Sequence, residues 1–463
     1  MKLYSHQLES SKRASELDYY AFFFEAGAGK TAAVINTIKL RLGSFPRTII
    51  VSPKITLSNW NKEIRMWTDE TDIGICGGTT INKLKILKKN KVVIMNYEAF
   101  RSKEIQEAIM LFNPEVMILD ESHRIKNHKA MQTKAILKTS MGTKYRYILS
   151  GTAITNTKMD LYAQYLFLNQ GKSFGSNFFA FRGKYFVNKN ANWNSPKAFP
   201  NFTYNHFMNE DFMERISYCT SFVKAKDVID LPELVEQVIE VELSKPQEKH
   251  YKEMRNELIT WLDSQPDSPL LASNALTKIL RLNEILNGYI KISEDYVEDI
   301  ENPRLDYCMD LIRELLPNKI IIYCIYKKNY EHLRNAMKKE YIKFIEIHGE
   351  SMNDVYSSVD KFNNFDSGFN VCICNPRSGG IGINLKSAKY SIYYSRNFSL
   401  EEYEQSRARN YRAGSIDLHK KIVHYQLVTP KTIDELIYNK LKEKNAILSD
   451  LGSIRNLLKG DSI

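Results

Sequence analysis

Short, almost wholly apolar runs punctuate this chain, and between them apolar residues recur at three- and four-residue spacing. The first part holds five such runs, at 20–24, 48–51, 92–95, 116–119 and 145–149. Each is too short for a helix and apolar at successive positions, the pattern of a strand buried on both faces in a parallel sheet. Val34, Ile35, Ile38 and Leu42 follow the first run at helical spacing, with Gly43 placed to stop the helix. From about 171 to 302 the rhythm breaks into a stretch rich in Phe and Tyr, including Phe174, Phe178, Phe181 and Tyr185, and then into long helical patterns over 246–286. The alternation returns at 320–323, 344–347, 371–374, 390–394 and 422–427, with a closing helix expected over 432–448. The pattern predicts an α/β chain with two parallel-sheet lobes in tandem: 1–168, a helical insertion and linker over 169–302, and 303–463. No residue-level repeat or low-complexity tail interrupts it.

Two polar segments carry candidate chemistry within the first lobe. Gly27, Ala28, Gly29, Lys30 and Thr31 lie between the first apolar run and the first helix. Glycines there let backbone N–H groups approach a phosphate. The helix N-terminus adds its dipole, Lys30 a positive charge next to the β/γ-phosphates, and Thr31 a hydroxyl for magnesium. The strict form of this turn has a glycine where Phe24 stands. Asp120 and Glu121 follow the run 116–119, so their carboxylates leave at a strand's C-terminal end, where parallel sheets bind ligands. Asp120 is placed to hold magnesium and Glu121 to orient and polarise a water. Far along the chain, Arg409 and Arg412 stand three residues apart, on one face if that segment is helical.

Composition narrows the partners. The 463 residues carry a net charge of +11, which favours a polyanion, although Lys83, Lys85, Lys88, Lys89 and Lys91 read as one solvated helical face. No apolar run approaches the ~20 residues needed to span a bilayer. The polar start, Met1 to Gln7, lacks a secretory core. A cytoplasmic protein is expected, or a nuclear one in a eukaryotic host. The six cysteines form no metal-binding spacing and are expected to be reduced and packed.

In order and combination these segments resemble the Swi/Snf-type ATPases of helicase superfamily two. Asp120-Glu121-Ser122-His123 resembles the family's Walker B box, and Ser150-Gly151-Thr152-Ala153 its third motif, which links the ATP site to the nucleic-acid track. Tyr4-Ser5-His6-Gln7 is similar to the adenine-reading Q motif, which makes Gln7 a contact to the base. Ser52-Pro53-Lys54, with Asn59, Trp60 and Glu63 after it, resembles a segment that contacts the nucleic-acid backbone. Ser378-Gly379-Gly380-Ile381-Gly382 resembles the fifth motif, and Gln405, Arg409 and Arg412 the sixth, whose arginines reach the γ-phosphate from the second lobe. Lys226-Asp227-Val228, Leu231-Pro232, Gln247 and Tyr251 resemble the link out of the helical protrusion. The sequence departs at Ala153 (usually proline), at Ser395-Arg396-Asn397-Phe398-Ser399 (usually Asp and Trp-Asn-Pro) and at Arg412-Ala413-Gly414-Ser415 (usually Arg-Ile-Gly-Gln). The resemblance implies two RecA-like lobes, ATP and magnesium as cofactors, and a compact motor, like phage, viral or bacterial members, translocating on double-stranded DNA. Catalytic roles fall to Lys30, Asp120, Glu121, Arg409 and Arg412. Nucleotide contacts fall to Gln7, Gly27, Ala28, Gly29, Lys30, Thr31 and Gln405, and metal ligation to Thr31 and Asp120. Nucleic-acid contacts fall to Ser52, Pro53, Lys54, Thr152, Ser378, Gly379 and Gly380. A strand-separating helicase on forked DNA or RNA, and a non-hydrolysing ATP-gated scaffold, remain the alternatives.

Overall fold

The structure is a computed structural model that describes residues 3–154, 157–189, 202–264, 271–292, 296–349, 355–377 and 383–443. The chain divides into two compact units after Asp230. The first is built on strands β1 (Tyr19–Phe24), β2 (Thr48–Ser52), β3 (Ile73–Ile75), β4 (Val92–Asn96), β5 (Val116–Asp120) and β6 (Tyr145–Leu149). A two-stranded antiparallel hairpin, β7 (Phe186–Asn188) with β8 (Phe202–Tyr204), follows, and then β9 (Thr220–Val223). The main sheet has the order β3-β4-β2-β5-β6-β1-β9, every pair parallel. All five residues of β2, β5 and β6 are buried, as strands covered on both faces require.

Parallel register decides what this unit can do. Val51 pairs with Leu119, Asp120 with Leu149, and Phe22 with Leu149. The chain therefore leaves β1, β2, β5 and β6 at one edge of the sheet, carrying the turn after Phe24, Ser52, Asp120-Glu121 and Ser150 to the same side. The helix Lys30–Leu42 starts there and ends at Gly43, whose φ of 75° releases the chain.

Residues 169–302, expected as one helical insertion, divide between the units. The aromatic stretch packs on the first: the Phe174 and Phe212 rings lie 4.8 Å apart, and those of Phe181 and Tyr185 5.3 Å apart. The chain then returns as β9 to pair with β1, Ala21 opposite Thr220. A four-residue strand with two hydroxyl side chains has too little apolar pattern to declare itself, and β3, three residues with a central glycine, is shorter still.

The second unit adds β10 (Glu233–Glu240), the antiparallel pair β11 (Tyr289–Lys291) and β12 (Val297–Asp299), then β13 (Ile320–Tyr323), β14 (Phe344–Ile347), β15 (Val371–Cys374), β16 (Tyr390–Tyr393) and β17 (Lys421–Val428). Its main sheet is parallel throughout, in the order β10-β17-β16-β13-β15-β14. Ile312, Ile320, Ile322, Leu333, Val371, Ile373, Ile392 and Leu427 centre its core. The helices Lys245–Ser264 and Leu271–Leu286 are tied in by Gln247, which donates to Ile285 O at 2.9 Å, and by Tyr251, whose hydroxyl accepts from Ile433 N at 2.9 Å. The two lobes expected from the apolar pattern are thus present, each an α/β unit on a parallel sheet. The closing helix is described over Ile433–Lys442, and its expected end at 448 lies outside the described residues. All six cysteines are free and buried. Among the described residues no helix is long and apolar enough to cross a membrane.

One buried ion cluster holds the second unit together. Asp434 accepts from Arg304 Nη2 at 2.6 Å, from Arg396 Nη1 at 3.1 Å and from Thr429 N at 3.1 Å. Burial pushes its carboxyl up, but the two guanidinium charges and these hydrogen bonds win, holding it below the usual carboxylate range. Asp434→Asn would leave two buried guanidinium groups without their anion, an expected loss of about 3–5 kcal/mol, checked by denaturant unfolding. Because the native carboxyl is depressed, its contribution is complete above the ordinary carboxylate pKa of about 3.9. It disappears as pH falls through the lower native value, so wild type should lose stability in that acid range faster than Asp434→Asn.

Candidate functional site

The turn after β1 is shaped by glycine and held from behind by the first helix, Ser5–Ser15. Gly27 and Gly29 have φ of 86° and 78°, the left-handed region that favours glycine. A Cβ on Gly29 would stand 1.9 Å from Gln7 Nε2, so the amide lies directly on the turn. Gln7 Nε2 donates to Gly29 O at 3.1 Å, and its Oε1 accepts from Tyr4 N at 2.8 Å. His6 Nε2 lies 2.9 Å from Ala28 O. Gln7, expected to read a base, thus braces the phosphate turn in this structure, and His6, given no role by the sequence, braces it too. The buried face His6, Gln7, Ser10, Ser11 and Ala14 carries the clue: so polar a buried face must find partners. Lys30, the first residue of its helix, donates from Nζ to Phe24 O at 3.3 Å. That Nζ would also lie 3.5 Å from a Cβ on Gly151, so lysine and the turn after β6 are neighbours. Thr31 follows in the first helical turn.

Asp120 ends β5 almost buried, and its carboxylate is oriented by two donors on one oxygen: Ser52 Oγ and Trp60 Nε1, each 2.9 Å from Oδ2. Tyr97 donates its hydroxyl to Asp120 O at 2.6 Å. Ser52, expected to face nucleic acid, is therefore turned inward; Pro53 is buried as well, and only Lys54 of that trio is exposed. Trp60 occupies the buried stripe of the helix Leu57–Trp67 with Leu57 and Ile64. A buried indole needs an acceptor, and that was the available clue to its role. Glu121 adopts φ 52° and ψ 54°, a left-handed conformation costing a non-glycine residue about 1–3 kcal/mol. It turns the chain sharply after β5. Its Oε2 lies 3.4 Å from His123 Nδ1, which is 3.1 Å from Ser150 Oγ. Ser150 Oγ in turn accepts from Thr152 N at 3.1 Å, while Thr152 Oγ1 is buried with no hydrogen-bond partner among the described residues.

The residues of this unit fit a magnesium nucleotide: a glycine turn open at a helix N-terminus, a lysine beside it, and a carboxylate held by donors on a single oxygen. Among the described residues no three His, Cys, Asp or Glu side chains cluster as a metal site.

In the second unit the arginine segment departs from expectation. The helix Leu400–Arg407 ends before Arg409, so Arg409 and Arg412 lie in the following turns instead of on one helical face. Arg409 is buried: Nη1 contacts Cys374 Sγ, and Nη2 donates to Pro376 O at 3.0 Å and Asn375 O at 3.4 Å. Carbonyls exposed where β15 ends draw the guanidinium inward. Burial raises the Cys374 thiol, but its bond with Cys372 and the Arg409 charge lower it to about 7. Arg412 is half-buried, and Gln405 Nε2 donates to Glu401 Oε1 at 3.3 Å. Between the arginines, Asn410 Nδ2 donates to Ala388 O at 3.2 Å and Oδ1 meets His424 Nε2 at 3.2 Å. Burial, reinforced by the Arg407 charge, lowers His424 to about 3, so it stays neutral and its Nε2–H is the donor. Ser378, Gly379 and Gly380 lie outside the described residues.

Comparison with known families returns two matches: the SNF2-related domain over residues 21–289, more than half of the chain, and the helicase conserved C-terminal domain over 303–414. An uncharacterized ATP-dependent helicase of Mycoplasma pneumoniae is 24% identical over 437 residues, covering 92% of this chain and 39% of that protein. Putative protein p41 of Acyrthosiphon pisum secondary endosymbiont phage 1 is 24% identical over 440 residues, covering 91% of each. The solved Sulfolobus solfataricus SWI2/SNF2 ATPase core in complex with dsDNA is 22% identical, covering 100% of this chain and 94% of that one, with a TM-score of 0.45. The chain spans 39% of the length of that Mycoplasma protein and 30% and 58% of two other relatives, so it matches a part of those larger proteins.

If Asp120 holds a metal, its two donors tune that function. Trp60→Phe keeps an aromatic side chain and removes the indole N–H. Calorimetric titration with a magnesium–nucleotide complex should give an affinity about 10–100-fold weaker. Unchanged affinity would reject a role for the Trp60 donor in metal binding at Asp120.

Proposed function

The chain belongs to the SNF2-related family, and from that premise we propose that it is a DNA-dependent ATPase that translocates along double-stranded DNA. The observation that carries this reading is the convergence, in one parallel sheet edge, of the glycine turn, Lys30, Asp120, Glu121 and Ser150. Gly27 to Gly29 offer backbone N–H groups to the phosphates, and Lys30 balances charge on the β- and γ-phosphates. Thr31 and Asp120 are the residues that would hold magnesium, which when bound neutralises phosphate charge and favours departure of the γ-phosphoryl group. Glu121, thrown clear of β5 by its left-handed backbone, orients the attacking water and takes up its proton. Gln7 fixes the turn from behind and lies near enough to it to meet the nucleotide.

The sixth-motif residues belong to the second unit, and the division of labour we assign them follows their burial. Arg412 supplies positive charge to the γ-phosphoryl oxygens in the transition state. Arg409 holds the turn that presents it, by its bonds to the end of β15. Gln405 supports the same segment. Lys54, Thr152 and the segment Ser378, Gly379 and Gly380 contact the nucleic-acid backbone. Such contacts track phosphates without reading bases, in keeping with the net charge of +11. The segments 1–168 and 303–463 are assigned as ATP-binding lobe and helicase lobe, while 169–302, expected as protrusion with linker, also lends β9 to the first sheet and β10 to the second. The absence of a long apolar helix among the described residues is compatible with work inside the cytoplasm.

ATPase rates measured without nucleic acid and with single-stranded DNA, duplex DNA, forked DNA and RNA test the reading. Duplex DNA should stimulate turnover several-fold, with little sequence preference and a steep fall as salt rises. Equal rates in all arms would reject it, and strand displacement from a fork would replace translocase with helicase. Glu121→Gln should bind ATP normally and lose about 100-fold or more in duplex-stimulated turnover. Arg412→Ala should retain nucleotide affinity on the DNA-free protein and lose roughly 10³-fold in stimulated turnover, whereas a solvated arginine would cost almost nothing.

A further inference from the structure

Gln164 lies in the helix Leu161–Asn169, outside every segment to which the sequence lends chemistry, yet it is completely buried and both ends of its amide are hydrogen-bonded. Oε1 accepts from Ser122 Oγ at 2.7 Å. Nε2 donates to Ala153 O at 2.8 Å and to Asp160 O at 2.9 Å. Those partners fix the orientation. A reversed amide would aim its oxygen at two carbonyl oxygens, which have no hydrogen to offer.

The partners matter because of where they stand. Ser122 follows Glu121 directly. Ala153 follows Thr152 in the turn after β6. The side chain therefore bridges the segment that carries the water-orienting carboxylate and the segment proposed to touch nucleic acid. A second bridge runs beside it, from His123 Nδ1 through Ser150 Oγ to Thr152 N. Glu121, in its left-handed conformation, precedes the residues from which both bridges start. A shift of the turn at Thr152–Ala153 must move Gln164 or break its buried hydrogen bond to Ala153 O, and moving Gln164 pulls on Ser122.

We propose that Gln164 is a positioning residue that couples occupancy of the Thr152–Ala153 turn by duplex DNA to the placement of Glu121, acting through Ser122. The inference rests on the proposed motor function. Gln164 touches neither nucleotide nor water; it sets how strongly DNA accelerates hydrolysis, not how tightly ATP binds.

The test uses the full chain and compares ATP turnover with and without duplex DNA in wild type, Gln164→Met, Ser122→Ala, Ser122→Thr and the double variant Gln164→Met/Ser122→Ala. Methionine keeps the volume and removes the polar bridge. Gln164→Met should lower the DNA-stimulated kcat at least about fivefold, with KM for ATP within about twofold of wild type and the DNA-free rate much less affected. Ser122→Ala should produce a similar but smaller loss of stimulation, Ser122→Thr should keep most of it, and the double variant should add little beyond Gln164→Met. If methionine unfolds the protein, the two Ser122 variants decide the matter. Equal proportional losses with and without DNA, a raised KM as the main effect, additive losses in the double variant, or full stimulation in Ser122→Ala would each overturn the inference. A wild-type chain that DNA does not stimulate would overturn it together with the motor reading. A stimulated wild type whose stimulation survives in Gln164→Met would overturn this inference alone.

Discussion

The parallel hydrogen-bond register of β1, β2, β5 and β6 is the constraint on which the first unit's chemistry depends. Four strands running the same way, with Val51 opposite Leu119, Asp120 opposite Leu149 and Phe22 opposite Leu149, must end on one side of the sheet. The glycine turn, Ser52, Asp120, Glu121 and Ser150 all leave the apolar layer at that edge. A one-residue slip in β5 would send Asp120 toward the opposite face and separate it from Ser52 and Trp60. The buried apolar side chains hold this register, so the core and the site are two consequences of one arrangement.

Around that edge, burial forces polar groups to find each other. Asp120 is nearly enclosed, and the indole of Trp60 and the hydroxyl of Ser52 serve its Oδ2. His6 and Gln7 serve the carbonyls of the phosphate turn. Positions with such duties cannot also face a ligand with the same atoms, which is why Ser52 reads as a backbone contact in the sequence and as a carboxylate's partner in the fold.

The departures from the family pattern find physical explanations in the second unit. Ser395 stands where an aspartate is usual; its hydroxyl accepts from Ile325 N at 3.0 Å and donates to Asn329 Oδ1 at 2.8 Å. The neighbouring Arg396 takes its anion from Asp434 on the closing helix, a carboxylate more than thirty residues away in sequence. Ser415 accepts from Arg412 N at 3.2 Å and donates to Asn410 O, closing the arginine turn locally. For Ala153 in place of proline the structure offers no reason.

By itself the sequence determined the two parallel α/β lobes, because strands buried on both faces must be continuously apolar and those runs are visible without any structure. It also determined which residues carry charge to the strand ends, since Lys30, Asp120 and Glu121 follow apolar runs directly. In the two main sheets it missed β3, β9 and β10, which are short or half polar and exist because a neighbouring strand offers them a ladder. Only the tertiary structure decided the orientation of side chains: that Trp60 serves Asp120, that Gln164 bridges two turns, and that Arg409 is drawn to the carbonyls beyond β15. These pairings join residues tens of positions apart through single hydrogen bonds, and a local pattern of apolar and polar residues carries no record of which distant acceptor a buried donor will meet.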